Sequence, residues 1–378
     1  MKRLLFLKLG PHFIPDEKPI KEKYALLAPF FISDIIAVVH EKRLRRVSEG
    51  NFHLLGLYLA PFMRFHTLFR NLLYALYSVS LAVYTHYFRY KYDVVITYDP
   101  IMTGLLGLLI SKLTGAKLIV EVNGNYEKAF TFHSGKAGAV KWIKKAYCRL
   151  MIPFVLTHAS SVKLLYGSQL KAFPVPRPLS SIFIFPNFVP VRHFKPAVRS
   201  SPYILFLGYP WHLKGVDILI KAFNKLCAEF PEYSLKVVGY CPDKTEYIRL
   251  AGENKRIELC DPVWHAEVVE LLSGCSLFVL PSRTEAMGRV LVEAMASRKP
   301  IVASNVDGIP SLIRYGETGL LFETENEDDL ADKIRTVLRD KHYAKKLADN
   351  AYAFVHTHLS EERYLANFLG MIEKTVNG

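Results

Sequence analysis

No two of the five cysteines are spaced as C-x-x-C, and five is an odd number. This pattern argues against a disulfide framework and against the common thiolate zinc sites. Cys148, Cys227, Cys241, Cys260 and Cys275 fall mostly inside apolar runs, so buried, reduced thiols are expected. Internal repeats and low-complexity tracts are also missing, which sets aside solenoids and disordered arrays. Negative charge is scarce: 35 Asp and Glu stand against 49 Lys and Arg, a net +14. Such an excess attracts polyanions, including phosphates, nucleic acid and anionic lipid. Nucleic acid is set aside as a partner, because no recognised binding module occurs and the aromatic residues lie in apolar runs rather than among Lys and Arg.

Long hydrophobic runs are scarce as well. One stretch, Asn71–Phe88, carries no Lys, Arg, Asp or Glu over a length near that of a bilayer span. It holds four tyrosines, His86 and several hydroxyls, and three readings stay open: a core helix, a membrane-surface helix or a span. A second apolar stretch, Leu54–Met63, is broken by Pro61. At the start, Lys8 interrupts an apolar run too short for a signal peptide, so a first strand ending at Gly10 is expected. The expected location is the cytoplasm.

What remains is globular material: 378 residues, 51% hydrophobic and 22% charged, enough for two domains. Short apolar runs alternate with amphipathic stretches, as in β-α units feeding a parallel sheet. Strands are expected at Arg3–Leu9, Ile35–Val39, Val94–Thr97, Lys117–Val122, Ser161–Leu165 and Ile182–Phe185. The second half repeats the theme at Tyr203–Leu207, Ser234–Val238, Arg256–Leu259, Leu277–Leu280 and Ile301–Ala303. Between the halves lies Pro186–Pro202, rich in proline and without a long apolar run. Two doubly wound α/β domains with a cleft between them follow, with ligands beyond the carboxyl ends of the strands.

The densest chemistry lies in Leu277–Phe322. A strand ends at Pro281, a polar loop leads to Glu285, and a helix starts near Gly288 and carries Glu293, eight positions after Glu285. The amides of Met287, Gly288, Arg289 and Val290 at that helix start form an anion site. A diphosphate held there leaves one carboxylate for sugar hydroxyls and the other for ribose hydroxyls. Taken alone, either Glu reads as ordinary helix-start compensation.

The wider string resembles the signature of the family-4 glycosyltransferases, retaining enzymes of the GT-B fold. Pro281, Ser282, Glu285, Gly288, Glu293, Ala294, Met295, Ala296, Pro300, Ala303, Ser304, Gly308, Pro310, Gly316, Gly319, Leu320 and Leu321 fall in register with it. Upstream, Tyr203–Gly208 followed by Lys214-Gly215-Val216-Asp217 resembles the family's strand, phosphate loop and helix. Pro186-Asn187, Val189, Phe194 and Pro196 resemble its interdomain segment, whereas Tyr92–Val95 and Leu118–Gly124 fit loosely.

The resemblance implies two Rossmann-like domains facing an interdomain cleft: residues 1–195 for the acceptor, 196–360 for the nucleotide-sugar, and a helix over 361–378 returning to the first domain. It implies a hexose-type transfer from a nucleoside-diphosphate sugar to a glycan or lipid-linked acceptor, with no cofactor. By the same carry-over, Glu285 contacts the donor sugar, Glu293 the ribose and Lys214 the diphosphate. Gly208, Tyr209 and the helix-start residues Met287, Gly288, Arg289 and Val290 complete the donor side. No D-x-D sequence with metal-ligand character occurs, so fixed cations are expected to replace a metal.

Departures from the pattern are informative. Tyr209 stands where the family usually has an Arg, and Arg289 or Arg283 is the candidate replacement. Ala286, Arg298 and Asp307 stand at frequent Gly positions. On the acceptor side only Gly10 remains of the Gly-rich loop, and Asn123-Gly124 replaces a frequent His-Gly, so no base is assigned there; His133 reads as an ordinary histidine. A non-catalytic nucleotide-sugar-binding subunit of a glycosylation complex is the alternative. Finally, Lys42, Arg43, Arg45 and Arg46 precede the aromatic segments 54–63 and 71–88. They give two readings: a solvated loop beside core aromatics, or peripheral attachment to an anionic membrane.

Overall fold

The computed structural model describes residues 1–9, 18–39, 41–59, 67–126, 138–173, 175, 179, 181–197 and 200–378. The described chain forms two compact units. One holds Met1–Gly124, Trp142–Phe188 and Tyr364–Gly378, and the other holds Asn125–Lys141 and Val189–Arg363.

The first unit runs β1 (Lys2–Lys8), α1 (Lys18–Leu27), β2 (Phe31–Val39), a single 3-10 turn (Lys42–Arg45), β3 (Arg46–Glu49) and β4 (Phe52–Tyr58). Then come α2 (Thr67–Phe88), β5 (Val94–Thr97), α3 (Met102–Thr114), β6 (Lys117–Val122), α4 (Gly138–His158), β7 (Ser161–Leu164) and β8 (Ile182–Ile184). The sheet order is β3-β4-β2-β1-β5-β6-β7-β8, parallel throughout except for the β3–β4 pair. Leu4–Leu7 and Val94–Ile96 are wholly buried, as strands covered on both faces must be.

The second unit runs β9 (Tyr203–Leu207), α5 (Val216–Leu226), β10 (Ser234–Val238), α6 (Thr245–Ala251), β11 (Ile257–Cys260), α7 (His265–Gly274) and β12 (Leu277–Leu280). It continues with α8 (Arg289–Ala296), β13 (Ile301–Ser304), α9 (Ile309–Leu312), β14 (Leu320–Phe322), α10 (Glu327–Arg339) and α11 (Lys341–His358). Its sheet, β11-β10-β9-β12-β13-β14, is parallel throughout. Strand order reverses between β9 and β12, the crevice-forming point of a doubly wound sheet. The α/β class with two parallel-sheet units is therefore as the sequence implied.

The last helix, α12 (Glu361–Asn377), buries Tyr364, Phe368, Met371 and Ile372 in the first unit's core beside Leu4, Phe6 and Phe31. Those positions recur at helical spacing, so one face of α12 supplies them all. Phe368 stacks on Phe6 at 6.4 Å between centroids and meets Phe31 edge-on at 5.8 Å.

Several expectations need correction. Phe52–Tyr58 is strand β4, with Phe52 and Leu54 in the core, while residues 60–63 of the stretch Leu54–Met63 lie outside the described residues. The Leu-rich run hid its alternation of buried and half-buried residues. Lys42–Arg46 is a 3-10 turn entering β3 rather than a loop. Asn71–Phe88 belongs to α2, which buries Tyr74, Ser78 and Ala82 at fourfold spacing; the Tyr74 hydroxyl donates to the Ile36 carbonyl at 3.0 Å. Among the described residues no helix is long and apolar enough to cross a membrane, which removes the span reading. Only Cys148 and Cys275 are fully buried; Cys227, Cys241 and Cys260 are half-buried, and all five are free thiols.

Phe368→Ala should lower stability by about 3–5 kcal/mol through the cavity it leaves, read by urea unfolding of the full chain. A loss below about 1 kcal/mol would show that α12 is not integral to this core.

Candidate functional site

Everything at the second unit's reversal depends on how tightly the loop after β9 meets the end of β12. The Lys214 amide donates to the carbonyls of Pro210 and Trp211, at 3.0 and 3.1 Å, winding the loop into a tight turn. Gly215 follows with φ +68°. A Cβ there would stand 2.0 Å from the Pro281 carbonyl oxygen, so only glycine lets the two backbones touch. From the other side, the Arg283 amide donates to the Leu213 carbonyl at 3.0 Å.

The Arg283 side chain completes this join. Its guanidinium takes both oxygens of Asp217, at 2.8 and 2.7 Å, and also bonds Glu325 and the His212 carbonyl. The side chain is only 8% exposed, so Arg283 is neither a solvated surface residue nor a cation left over for a ligand. Burial opposes ionisation of Asp217, but the hydrogen bonds and charge of Arg283 outweigh it and hold the carboxyl below the usual range. Sequence reasoning treated Arg283 as a candidate phosphate cation; Asp217 in the first turn of α5 was the overlooked signal for its true partner.

This join places Lys214 against Glu285, with Nζ donating to Oε2 at 2.5 Å and side chains 17% and 13% exposed. The Glu285 backbone is fixed separately. Its carbonyl accepts from the Gly308 amide at 3.0 Å and its amide donates to the Asp307 carboxylate at 3.3 Å. The Thr284 hydroxyl donates to the same carboxylate. Asp307 has φ +47° and Arg298 φ +56°, so both adopt the left-handed backbone expected of the glycines they replace. Asp307 turns the substitution to use, because its side chain braces the Glu285 loop.

α8 begins at Arg289 after Gly288, which has φ +67° and offers no side-chain cap. The Leu291 amide returns to the Gly288 carbonyl at 2.8 Å, while Arg289 and Val290 are the first helical residues, whose amides have no acceptor within the helix. Arg289 is exposed and the Met287 side chain is buried. At the end of β9, Gly208 donates its amide to the Val238 carbonyl and Tyr209 is 54% exposed. Glu293, one turn into α8, is buried, and no donor reaches its carboxylate among the described residues. Burial raises its pKa, and Arg289 only partly offsets this.

In the first unit, Asn123 lies just past β6. Its Nδ2 donates to the Tyr98 carbonyl at 2.8 Å, and its Oδ1 accepts from Asn187 at 2.9 Å. Asn187 accepts from Lys163 Nζ at 2.6 Å, and Lys163 lies 3.8 Å from Glu121, both side chains fully buried. Burial tends to raise the Glu121 pKa, but Lys163, Lys23, Asn123 and Lys8 outweigh it and hold it below the ordinary range. Sequence reasoning missed this chain of polar groups; a Lys inside the apolar strand Ser161–Leu164 was the available signal. Gly124 follows Asn123, whereas Gly10 and His133 lie outside the described residues.

Glu293 generates a pH signature. Its folded-state pKa is raised, so the stability it contributes is present below the unfolded value, about 4.3, and is lost as pH rises through the folded value. Glu293→Gln should therefore match the parent in melting temperature near that lower limit and exceed it at pH 8. An equal difference at every pH would contradict the buried carboxylate.

Residues 191–354 match the family Glycosyl transferases group 1. An uncharacterized glycosyltransferase of Methanocaldococcus jannaschii is 34% identical over 152 residues, 40% of this chain and 42% of that protein. The matched stretch spans about two fifths of the length of the curated relatives. In fold, the chain is similar over 100% of its length to 99% of sucrose-phosphate synthase from Thermosynechococcus elongatus, at 18% identity and TM-score 0.82. Anabaena HepE in complex with UDP and glucose is similar over all of both chains, at 17% identity and TM-score 0.73. The segment that carries Lys214, Glu285 and Glu293 thus lies within the stretch that matches glycosyl transferases group 1, in a two-unit α/β chain similar to solved structures of the GT-B fold.

Proposed function

We propose that this chain is a retaining, metal-independent glycosyltransferase that moves a hexose-type sugar from a nucleoside-diphosphate sugar to a glycan or lipid-linked acceptor. The observation that carries this reading is the Lys214–Glu285 pair at the reversal between β9 and β12, beside the uncapped start of α8. A diphosphate accepts from the amides of Arg289 and Val290 and draws the Lys214 ammonium toward it. Glu285, released from Lys214, accepts from hydroxyls of the sugar. Glu293 accepts from the ribose hydroxyls, which offsets the burial that raises its pKa.

Rate enhancement follows from charge. As the bond between the anomeric carbon and the diphosphate oxygen breaks, negative charge grows on the leaving group. Lys214, the helix amides and Arg289 oppose that charge where it develops. Arg289, exposed at the start of α8, supplies the second cation that Tyr209 does not. Retention requires the acceptor hydroxyl to add to the face being vacated, where the departing phosphate oxygen takes its proton, so the reading needs no protein base. Anabaena HepE, bound to UDP and glucose, makes a uridine diphosphate sugar the first donor to test.

A second reading, a non-catalytic nucleotide-sugar-binding subunit, draws on Tyr209 at the position of a phosphate-binding Arg. Release of nucleoside diphosphate from a panel of nucleotide-sugars separates the two. Turnover should persist in excess EDTA. Lys214→Ala should lower it about 10²–10³-fold. Glu285→Gln should lose most turnover while keeping nucleoside diphosphate affinity, because its contact is to the sugar. Tight nucleotide binding without turnover in the parent would favour the subunit, and near-normal turnover in Glu285→Gln would remove Glu285 from the mechanism.

A further inference from the structure

The net charge is not spread over the chain. Residues 1–188 hold 25 Lys and Arg against 10 Asp and Glu, whereas residues 189–378 hold 24 against 25. Within the first half, the three helices α2, α3 and α4 contain no Asp or Glu at all, yet they carry Arg70, Lys112, Lys141, Lys144, Lys145 and Arg149.

These helices form one layer. Tyr74 ties α2 to β2, and the Tyr87 hydroxyl donates to the Leu113 carbonyl of α3 at 2.6 Å. A Cβ on Gly104 of α3 would stand 2.9 Å from Val155 of α4, so those two helices touch. Right-handed crossovers from β4 to β7 place all three on the same side of the sheet.

A helix on a soluble sheet normally turns a polar stripe outward. Here the outward stripes are apolar. On α2, Leu68, Leu72 and Leu76 recur at fourfold spacing and are 87%, 56% and 60% exposed. On α4, Ile143, Tyr147, Leu150 and Phe154 recur at helical spacing, all exposed, beside Trp142 at 71%. Leu109 and Leu113 continue the surface on α3. The Tyr77 hydroxyl on α2, its pKa raised by burial, feels Arg46 and Arg45 in the opposite sense, so the basic 3-10 turn adjoins the same layer.

We propose that the α2–α3–α4 face docks on an anionic lipid bilayer, its leucines and aromatics entering the interface while its lysines and arginines meet headgroup phosphates. The charge pattern selects this occupant. A second copy would set Arg70, Lys112 and Lys145 against their own counterparts, and the three helices hold no Asp or Glu to answer them. Nucleic acid would match the charge but leave the apolar stripes without a partner. The proposal deepens the acceptor reading by placing the chain where lipid-linked acceptors lie, but flotation reads it without any transfer activity.

The test is flotation of the full chain with phosphatidylcholine vesicles, with and without phosphatidylglycerol. Binding should need the anionic lipid and weaken as salt rises. Lys112→Gln with Lys145→Gln should reduce partitioning about fivefold per residue. Leu72→Ser, Leu76→Ser and Leu150→Ser together should reduce it at least tenfold, with circular dichroism and nucleoside diphosphate binding unchanged. No flotation of the parent, or equal flotation of the parent and both variants, would overturn the proposal. So would a lipid-free dimer dispersed by the leucine substitutions, or duplex DNA binding that resists them.

Discussion

The constraint on which the second unit's site depends is the contact of two backbones, where the loop after β9 touches the end of β12. Gly215 allows it, because any Cβ would collide with the Pro281 carbonyl. Arg283 then locks it through Asp217 and Glu325. Only with these two segments fused does Lys214 reach Glu285 across the strand reversal. The Lys214–Glu285 pair is thus supported by a second ionic pair, Arg283–Asp217, at the same join.

Glu293 shows the opposite economy. A buried carboxylate without a side-chain donor opposes folding as pH rises, and the charge of Arg289 answers it only in part. A group held in this way favours a ligand that brings hydroxyls, since binding relieves a desolvation cost already incurred on folding. The same logic separates the two halves of the molecule. In the first unit, Lys163 sits 3.8 Å from Glu121 inside the sheet, and Asn187 and Asn123 carry a chain of hydrogen bonds from Lys163 onward to the Tyr98 carbonyl.

Much of this was legible in the sequence where signals were local. Val94–Thr97, Lys117–Val122, Tyr203–Leu207, Ser234–Val238 and Leu277–Leu280 are strands with the bounds their apolar runs suggest. The stretch from Pro281 to Glu293 reads as strand end, loop and helix start, and folds so. What was not legible depends on partners distant in sequence. Arg283 reads as a surface cation until Asp217 and Glu325 are brought to it. Lys163 looks anomalous in its strand until Glu121 and Asn187 surround it. Asp307 and Arg298 read as lost glycines, whereas the structure shows the left-handed backbone retained without them. Strand β4 was obscured because a leucine-rich run masks period-two alternation.

The central claim is that the crevice beyond β9 and β12 binds the diphosphate of the donor. A structure of the full chain with UDP tests it most directly. The diphosphate should lie within hydrogen-bond distance of Lys214 Nζ and the amides of Arg289 and Val290, with the ribose hydroxyls on Glu293 and the Lys214–Glu285 pair opened. UDP bound elsewhere, or bound there with Lys214 still closed on Glu285 and Glu293 untouched, would contradict it.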